Sequence, residues 1–364
     1  MVICDYPALE AGKEVTEGGF SGVVQPINPV EEAGWDLLLG THPGRSFFHR
    51  SAWAKVLRDS YGYAPAYFIL SESGQLRSLL PVMEVRSWLT GSRGVSLPFT
   101  DNCRVLSSGA ASIERLTHQA INWGRGRGWK YLELRGGKEF FPQAPASQSY
   151  FGHELKLVGE KALFAQLHRP VRTAIRKGQK LGLKVEVSQS LEALRSFYEL
   201  HCSTRRRHGL PPPPFRFFEN VHEHILSRDK GIVVIARHQQ QPVAASVYFH
   251  SDNEAIYKYS ASDGAFQDLR GNNLVMWEAI KWYCRAGFDR LHLGRTSASN
   301  SGLRRFKLGW GACEHKIEYL RYDLRKRGFV TGRDEAFGWY NRIFNRLPPS
   351  ISKAIGSILY RHVG

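Results

Sequence analysis

Three residues of one turn, Arg270-Gly271-Asn272, have types and spacing that suit phosphate binding. They precede a stretch with helical periodicity, so the turn would open a helix. A glycine turn at the start of a helix exposes backbone N–H groups and the positive end of the helix dipole, and this combination binds phosphate. An ordinary capped turn uses the same residue types, so both interpretations stay open at this point.

A second group of candidate residues lies in the segment 302–312, where glycines flank an aromatic residue beside several cations. Its central residues are Arg305, Phe306 and Lys307, and it follows a predicted strand over 290–293. A lysine ammonium in such a segment can stabilise the oxyanion that forms when a carbonyl is attacked, or it can bind a phosphate. A surface loop without a catalytic role is the alternative.

Two tyrosines, Tyr257 and Tyr259, alternate along a predicted strand over 255–259. Because side chains alternate across a strand, both phenols should lie on one face of the sheet. There they would either pack against a helix or offer a hydroxyl group to a substrate carbonyl.

A basic stripe follows from the spacing of Arg172, Arg176 and Lys180, which recur every four residues on a predicted helix that Pro170 would open. Such a stripe can bind RNA phosphates, nucleotide phosphates or anionic lipid. A solvated helix face is the alternative. The run Arg205-Arg206-Arg207 adds further positive charge.

The elements that would position these residues occur twice in the same order. Trp123 and Trp282 are as far apart in the sequence as Leu132 and Leu291, and similar residues surround both pairs. A repeat of this length indicates a duplicated domain rather than a solenoid. The sequence therefore predicts two mixed α/β domains, with a ligand cleft between them.

The predicted elements of the two halves correspond. The first half has a helix over 51–60, a hairpin of 66–71 and 76–86, a strand over 95–99, a helix over 113–127 and a strand over 131–134. The second half has a helix from Leu191 towards His208, a hairpin of 232–237 and 243–250, a strand over 255–259, a helix over 273–285 and a strand over 290–293. The predicted domains are a lead-in (1–45), a first domain (46–150), a second domain (151–325) and a basic amphipathic tail (326–364).

Composition and charge limit the classes of function that are possible. The 364 residues include 50 Lys and Arg against 33 Asp and Glu, a net charge of +17, which predicts an anionic partner. A hydrophobic content of 42% excludes a disordered chain. The five scattered cysteines argue against a zinc site or a disulfide framework and are typical of a reducing cytoplasm. No signal peptide or membrane-spanning stretch is predicted.

Several catalytic motifs are absent from the sequence. It has no H-E-x-x-H, G-x-S-x-G, G-x-x-x-x-G-K-[ST] or G-x-G-x-x-G motif. The absence of these motifs argues against a hydrolase, a kinase, a nucleotide triphosphatase and a dehydrogenase.

Four short stretches carry a family resemblance: FHRSAWAKV (48–56), SLPFTD (96–101), RHG (207–209) and GLRRFKLGWG (302–311). In this order and spacing they resemble the Fem family of peptidoglycan-bridge aminoacyltransferases, the FemABX group, and more closely its relatives in exopolysaccharide and exosortase systems. The resemblance implies an α/β (α+β) fold of two tandem GNAT-like domains, with mixed sheets flanked by helices. It also implies transfer of an aminoacyl or acyl group to an amine, without a metal or a covalent enzyme intermediate.

The resemblance assigns roles at the reaction centre. Lys307 matches the lysine that stabilises the transition state, and Phe306 matches its neighbour at the donor end. Tyr257 and Tyr259 match tyrosines that line the reaction site, and Asp101 matches an acidic residue near the acceptor amine.

The acceptor phosphates have a separate set of candidates. Arg207 matches an arginine that binds them. Lys55 lies close to the family's phosphate-binding lysine, but the matching position, two residues on, is Leu57 in this chain. Arg58 is the alternative at this site.

The predicted donor-binding group consists of Arg305, Phe306 and the turn Arg270-Gly271-Asn272. Aminoacyl-tRNA is the donor of the Fem transferases, whereas the exopolysaccharide-linked relatives are also classed with acyl-CoA-dependent enzymes. The turn departs from the Arg/Gln-x-x-Gly-x-Gly/Ala signature of acyl-CoA acetyltransferases, because Asp268 and Asn273 occupy its ends. We expect no bound cofactor and leave both donors open.

Three functions are carried forward. The first is a FemABX-type transferase acting on a nucleotide- or lipid-linked saccharide or muropeptide. The second is an acyl-CoA-dependent N-acetyltransferase acting on an amino sugar, and the third is a non-catalytic RNA- or anionic-lipid-binding protein. We expect a cytoplasmic protein whose tail either contacts the inner face of an anionic membrane or packs onto the second domain.

Overall fold

The computed structural model describes residues 26–107, 109–332 and 348–363. The chain forms two compact units. Unit 1 comprises Met1–Tyr150, Lys316–Asp334 and Arg361–Gly364, and unit 2 comprises Phe151–His315 and Glu335–Tyr360. Residues 316–325, which the sequence analysis assigns to the second domain, therefore group with unit 1.

The helices in chain order are α1 (Trp35–Gly40), α2 (Ser51–Tyr61), α3 (Ala110–Gly126), α4 (Glu160–Gln166), α5 (Arg169–Lys180), α6 (Leu191–Arg207), α7 (Phe215–His224), α8 (Gly271–Arg285), α9 (Ser301–Leu308) and α10 (Pro349–Leu359). The strands are β1 (Ala64–Glu72), β2 (Gln75–Val85), β3 (Arg93–Val95), β4 (Tyr131–Leu134), β5 (Gln148–Lys156), β6 (Lys184–Ser188), β7 (Gly231–His238), β8 (Gln241–Ser251), β9 (Glu254–Ser262), β10 (Arg290–Ser297), β11 (Cys313–Asp323) and β12 (Gly328–Phe329).

The sheet of unit 1 has the strand order β1-β2-β3-β4-β11, with β12 on β11. Strands β3 and β4 are parallel, and the other pairs are antiparallel. Its core lies between the sheet and α3, where Leu116 and Ala120 are buried beside Phe68, Leu80 and Leu132. The last residues of β11 belong to this unit because Leu320–Asp323 pair with β4.

The sheet of unit 2 has the order β5-β10-β9-β8-β7-β6. Here β9 and β10 are the parallel pair. Helices α5 and α8 cover one face, with Ile175, Leu274 and Ile280 buried against Val234 and Tyr248. An aromatic cluster from α6 and α7 covers the other face.

The two mixed α/β units confirm the predicted fold class. The predicted elements of both halves are present, with one clear exception. The strand predicted over 95–99 ends at Val95, because Leu97 (φ 53°) and Phe99 (φ 61°) adopt left-handed backbone that no strand accommodates. The segment 302–312, which has a surface loop as one interpretation, instead contains helix α9.

Two further observations concern cysteines and membranes. Cys103, Cys202 and Cys284 are free thiols, whereas Cys313 is disulfide-bonded, which differs from the expectation drawn from the scattered cysteines. Among the described residues, no helix combines the length and apolar character needed to cross a bilayer.

Candidate functional site

A β-bulge at Lys258 separates the two candidate tyrosines. Val247 of β8 pairs with Tyr259, and the next residue, Tyr248, pairs with Tyr257, so Lys258 is an extra residue in β9. An extra residue reverses the alternation of side chains beyond it. The prediction that Tyr257 and Tyr259 share a face is therefore wrong, since they lie on opposite faces of the sheet.

The surroundings of the two phenols follow from this reversal. Tyr257 packs towards α8, with its ring 5.4 Å from that of Tyr248, and burial raises the pKa of its hydroxyl. Tyr259 lies in the aromatic cluster on the other face. Its ring centroid is within 6.4 Å of those of Phe197, His201, Phe217, Phe218 and Phe249.

The parallel strands β9 and β10 separate after a short paired stretch. Their register runs from Glu254 and Arg290 to Ile256 and His292, although both strands continue beyond this point. Gly294 then has a left-handed backbone (φ 72°), a conformation that glycine adopts without steric cost. The two strands leave a gap in their ladder from Tyr257 and Leu293 onwards.

Lys307 lies on α9 and reaches the part of β10 that borders this gap. Its side chain is buried, with 2% of the residue exposed, and its Nζ donates hydrogen bonds of 2.9 Å to the carbonyls of Gly294 and Arg295. Helix α9 starts at this place because the Asn300 side chain accepts the N–H of Leu303 at 3.0 Å. A cation is thereby held beside the open stretch of β10.

A partly buried ion network that the sequence did not predict lies next to Lys307. His153 Nε2 is 3.0 Å from Glu314 Oε2, and the Arg304 guanidinium donates two hydrogen bonds of 2.6 and 2.7 Å to the same carboxylate. The Arg304 guanidinium also lies 4.1 Å from the centre of the Phe151 ring. No local sequence pattern predicts this network, because its three ionisable residues come from β5, α9 and β11, which are distant in sequence.

The charge states in this network can be assigned from their surroundings. Hydrogen bonds from Arg304 lower the pKa of Glu314, so this carboxylate is ionised at neutral pH. Burial, assisted by the Lys307 ammonium, lowers the pKa of His153. The hydrogen bonds of His153 to Glu314 and to the backbone of Gly294 oppose this lowering of the pKa but do not outweigh it.

The N-terminus of α8 lies at the end of β9 where the strands have separated. Asn272 Nδ2 donates to Ser262 Oγ at 3.1 Å, and its Oδ1 is buried without a partner among the described residues. Arg270 is exposed and has a left-handed backbone (φ 59°). A Cβ on Gly271 would come within 2.9 Å of the Ala244 Cβ, so this position requires glycine.

Two basic elements border the same turn. Arg207, at the end of α6, donates from Nη2 to the carbonyl of Ser262 at 3.2 Å. Helix α5 also packs here, since a Cβ on its Gly178 would lie 3.3 Å from the carbonyl oxygen of Leu269. Arg176 and Lys180 of that helix are exposed. The phosphate-type turn of unit 2 is therefore bordered by the Arg207 guanidinium and by helix α5.

Phe306 and Arg305 complete the candidates of unit 2. Phe306 is half-buried against the core, with its ring 6.1 Å from that of Trp310. Arg305 is exposed on the same helix.

The remaining candidates lie in unit 1. Asp101 is half-buried, and its backbone carbonyl accepts the hydroxyl of Tyr319 at 2.7 Å. Lys55 and Arg58 are half-buried on α2, and Arg58 Nε is 2.7 Å from Asp59 Oδ1. The residues that the resemblance assigns to one site thus come from both units.

Comparisons with known proteins concern the fold and the domain type. Residues 165–316 match the model of the Acetyltransf_6 family, described as an acetyltransferase (GNAT) domain. No curated protein sequence matches the chain significantly. The structure is similar to that of FemX, with a TM-score of 0.63 and 13% identity over 78% of this chain and 94% of that one.

Two other solved structures are similar at lower scores. The C-terminal domain (DUF2156) of a putative lysylphosphatidylglycerol synthetase from Agrobacterium fabrum has a TM-score of 0.54 and 16% identity, covering 80% of this chain and 90% of its own. A tandem GNAT protein from the clavulanic acid biosynthesis pathway has a TM-score of 0.53 and 11% identity, covering 82% and 98%.

These findings establish the class of the protein. The fold consists of two tandem GNAT domains with a FemX-like arrangement of elements, which confirms the fold that the resemblance implies. The family match in the second domain confirms the prediction of an acyltransferase.

Proposed function

We propose that this acyltransferase moves an aminoacyl group from aminoacyl-tRNA to an amine of a cell-envelope or exopolysaccharide precursor, and that unit 2 binds the donor. The observation that carries this proposal is the gap between β9 and β10. At this gap the turn Arg270-Gly271-Asn272 offers a phosphate site, and the buried ammonium of Lys307 lies beside β10.

The reaction replaces the C–O bond of the donor ester with a C–N bond to the acceptor. The acceptor nitrogen attacks the carbonyl carbon of the donor ester, the C–N bond forms, and the carbonyl π electrons move to oxygen. The nitrogen becomes positively charged in this attack, and it loses a proton to a base, for which the Asp101 carboxylate or a water molecule is proposed. The oxyanion then re-forms the carbonyl as the C–O bond to the donor breaks, and the leaving alkoxide is protonated to a hydroxyl group.

Lys307 is proposed to stabilise the oxyanion. An ammonium fixed by two carbonyls cannot reorganise freely, and preorganised charge in a buried site stabilises developing negative charge more than charge in water does. The carbonyls of Gly294 and Arg295 hold Nζ in place, and the neutral His153 adds no competing positive charge nearby. Tyr257 is the remaining phenol candidate, since Tyr259 faces the aromatic cluster.

The roles of the other candidates follow from their places. Phe306, Arg305 and the α8 turn are proposed to bind the donor, and Lys55 or Arg58 to bind acceptor phosphate. Arg207 was assigned to acceptor phosphate, but it borders the α8 turn. We therefore propose that Arg207 serves the donor.

The class of acceptor rests on similarity. FemX and a putative lysylphosphatidylglycerol synthetase are among the similar structures, which supports an acceptor of the cell envelope, either nucleotide-linked or lipid-linked. Peripheral membrane contact through the tail is also proposed. Part of that tail, 333–347, lies outside the described residues, whereas α10 packs on unit 2 and leaves Ile351 and Ile358 exposed.

A second candidate function is an acyl-CoA-dependent N-acetyltransferase acting on an amino sugar. The glycine turn at the α8 N-terminus favours it, because such a turn suits a pyrophosphate. In this case a C–S bond breaks in place of the C–O bond, and the leaving group is a thiol.

Titration calorimetry with acetyl-CoA and free CoA separates the two donors. Physiological salt should be used, because it suppresses unspecific attraction to a basic surface. Saturable micromolar binding of both ligands would support the acyl-CoA enzyme and overturn the tRNA donor. Absence of binding, together with salt-resistant binding of charged tRNA over uncharged tRNA, would support the aminoacyltransferase.

A further inference from the structure

The connection between β2 and β3 in unit 1 exposes two large apolar side chains. Trp88 is 82% exposed and its neighbour Leu89 is 54% exposed. Val363, which is 56% exposed, follows the residue on which this connection rests, His362. We call Trp88, Leu89 and Val363 the Trp88 patch. Clustered exposed apolar side chains of this kind mark interaction sites more often than isolated ones do.

Hydrogen bonds within the connection hold its tip in one conformation. The Ser87 hydroxyl accepts the N–H groups of Leu89 at 3.2 Å and Thr90 at 2.8 Å. The Ser87 carbonyl accepts the N–H of Gly91 at 2.8 Å. These bonds close a turn that leaves Trp88 at its tip.

Contacts with the rest of unit 1 fix the base of the connection. The carbonyl of His362 accepts Arg93 Nη2 at 2.8 Å and the Thr90 hydroxyl at 3.2 Å. Lys130 Nζ donates to the Thr90 carbonyl at 2.8 Å. The Trp88 ring meets the buried His362 ring edge-on, with centroids 5.3 Å apart. The exposure of Trp88 is therefore built into the fold.

Cations surround the patch. The Arg86 side chain is 65% exposed, and Arg361 and Lys130 are exposed as well. The nearby carboxylate of Glu84 is buried and forms ion pairs with both Arg86 and Arg127. One negative charge shared by two arginines offsets only part of the positive charge. The surroundings of the apolar tip are consequently positive.

We propose that the Trp88 patch docks the protein on an anionic lipid bilayer. Tryptophan prefers the boundary between lipid headgroups and acyl chains, and cations beside it attract anionic headgroups. A protein partner would need roughly 800 Å² of contact surface on each side, far more than three side chains at a convex tip provide. This inference is independent of the proposed donor and acceptor.

The binding should be weak and reversible. Each cation close to an anionic membrane contributes about fivefold to the affinity, and a short apolar anchor does not hold a protein permanently. The attraction should also fall as salt rises. An enzyme acting on a lipid-linked acceptor would gain local concentration from such docking.

The test is sedimentation of the full chain with vesicles of phosphatidylcholine alone and of phosphatidylcholine with phosphatidylglycerol. The variants are Trp88→Ser with Leu89→Ser, Arg361→Gln, and the control Leu37→Ser. Leu37 is also in unit 1 and is 81% exposed, but it lies on α1, outside the patch. Thermal unfolding should show that all variants fold.

We expect the wild type to bind only the anionic vesicles. The double variant should bind about tenfold more weakly, Arg361→Gln about fivefold more weakly, and Leu37→Ser as the wild type does. The proposal is overturned if the wild type does not bind anionic vesicles, if it binds both vesicles equally, or if the double variant binds as tightly as Leu37→Ser.

Discussion

Units 1 and 2 have the same order of elements, but they differ at their corresponding pairs of parallel strands, β3–β4 in unit 1 and β9–β10 in unit 2. In unit 1 the bonding of β3 and β4 continues past the paired residues, because Ser96 N donates to the Glu133 carbonyl at 2.8 Å and Arg135 N donates to Ser96 Oγ at 2.6 Å. In unit 2 the pairing of β9 and β10 ends at Ile256 and His292. The backbone ladder therefore ends in both units, but the Ser96 side chain holds the two strand ends together in unit 1.

The residues at the equivalent strand positions explain the difference. Leu134 corresponds to Leu293 in the repeat, so Arg135 corresponds to Gly294. Arg135 is buried and paired with Glu133, which keeps that strand end packed. Gly294 instead bends the backbone, and its carbonyl accepts a hydrogen bond from Lys307 Nζ. The two units thus share the fold, while the features of the proposed donor site occur in unit 2.

The largest expected effect comes from the buried lysine of unit 2. Lys307→Met should reduce kcat/KM for transfer at least about 100-fold, because it removes a preorganised charge. The matched variant in unit 1 is Arg135→Met, which removes a buried cation outside the proposed site. It should lower the free energy of unfolding but change kcat/KM little. Equal kcat/KM values for the two variants would show that Lys307 has only a structural role.

Glu84, a buried carboxylate of unit 1, should matter for stability. Burial acts to raise its pKa, but hydrogen bonds from Arg127, Trp129 and Arg86 outweigh this and lower it. Its stabilisation is therefore complete above the ordinary pKa and is lost as the pH falls through the lowered value. Glu84→Gln should reduce the free energy of unfolding by about 2 kcal/mol at pH 7.

Denaturant titrations at several pH values test this prediction. The difference between Glu84→Gln and the wild type should shrink in acid. Glu72→Gln, which breaks an exposed pair with Arg77, is the control and should cost less than about 1 kcal/mol. A difference that persists in acid would contradict a role of the Glu84 charge.

A smaller effect is expected at the donor turn. Arg207→Ala should weaken donor binding about tenfold, since one charged hydrogen bond to a phosphate is lost. Arg58→Ala in unit 1 should leave donor binding unchanged, because Arg58 is a candidate for binding acceptor phosphate. Calorimetry on both variants would contradict the assignment of the donor to unit 2 if Arg58→Ala had the larger effect.

The smallest effect concerns the joined strands of unit 1. Ser96→Ala leaves the Arg135 N–H without its acceptor in a buried place, which should cost about 1 kcal/mol of unfolding free energy. Hydrogen exchange at the Arg135 amide should become faster, and donor binding should not change. Unchanged exchange would mean that this bond does not hold the strands together.

The sequence predicted the fold better than the site. Apolar periodicity and the repeated letters around Trp123 and Trp282 located most helices and strands, because burial dictates those residues locally. The Lys258 bulge reversed the side of Tyr259, and nothing in the local pattern distinguishes a bulge from a regular strand. Similarly, the pairing of His153 with Glu314 depends on strand order, which is a property of the whole unit.

The interpretation of 302–312 shows the same limit. Its glycines and cations suit a surface loop, yet Asn300 caps a helix whose inner face carries Lys307. A lysine is rarely buried without partners, and the carbonyls that bind this one become available only because β10 bends at Gly294. The family resemblance makes Lys307 a candidate, and the structure shows which carbonyls hold its side chain.

Hydrogen exchange with and without saturating donor tests the central claim most directly. The claim is that the donor binds unit 2, at the α8 N-terminus and the gap between β9 and β10. We predict that protection is confined to the amides of 257–274 and 293–296. Protection centred on 96–113, the corresponding part of unit 1, or its absence from the α8 N-terminus despite saturation, would contradict the account.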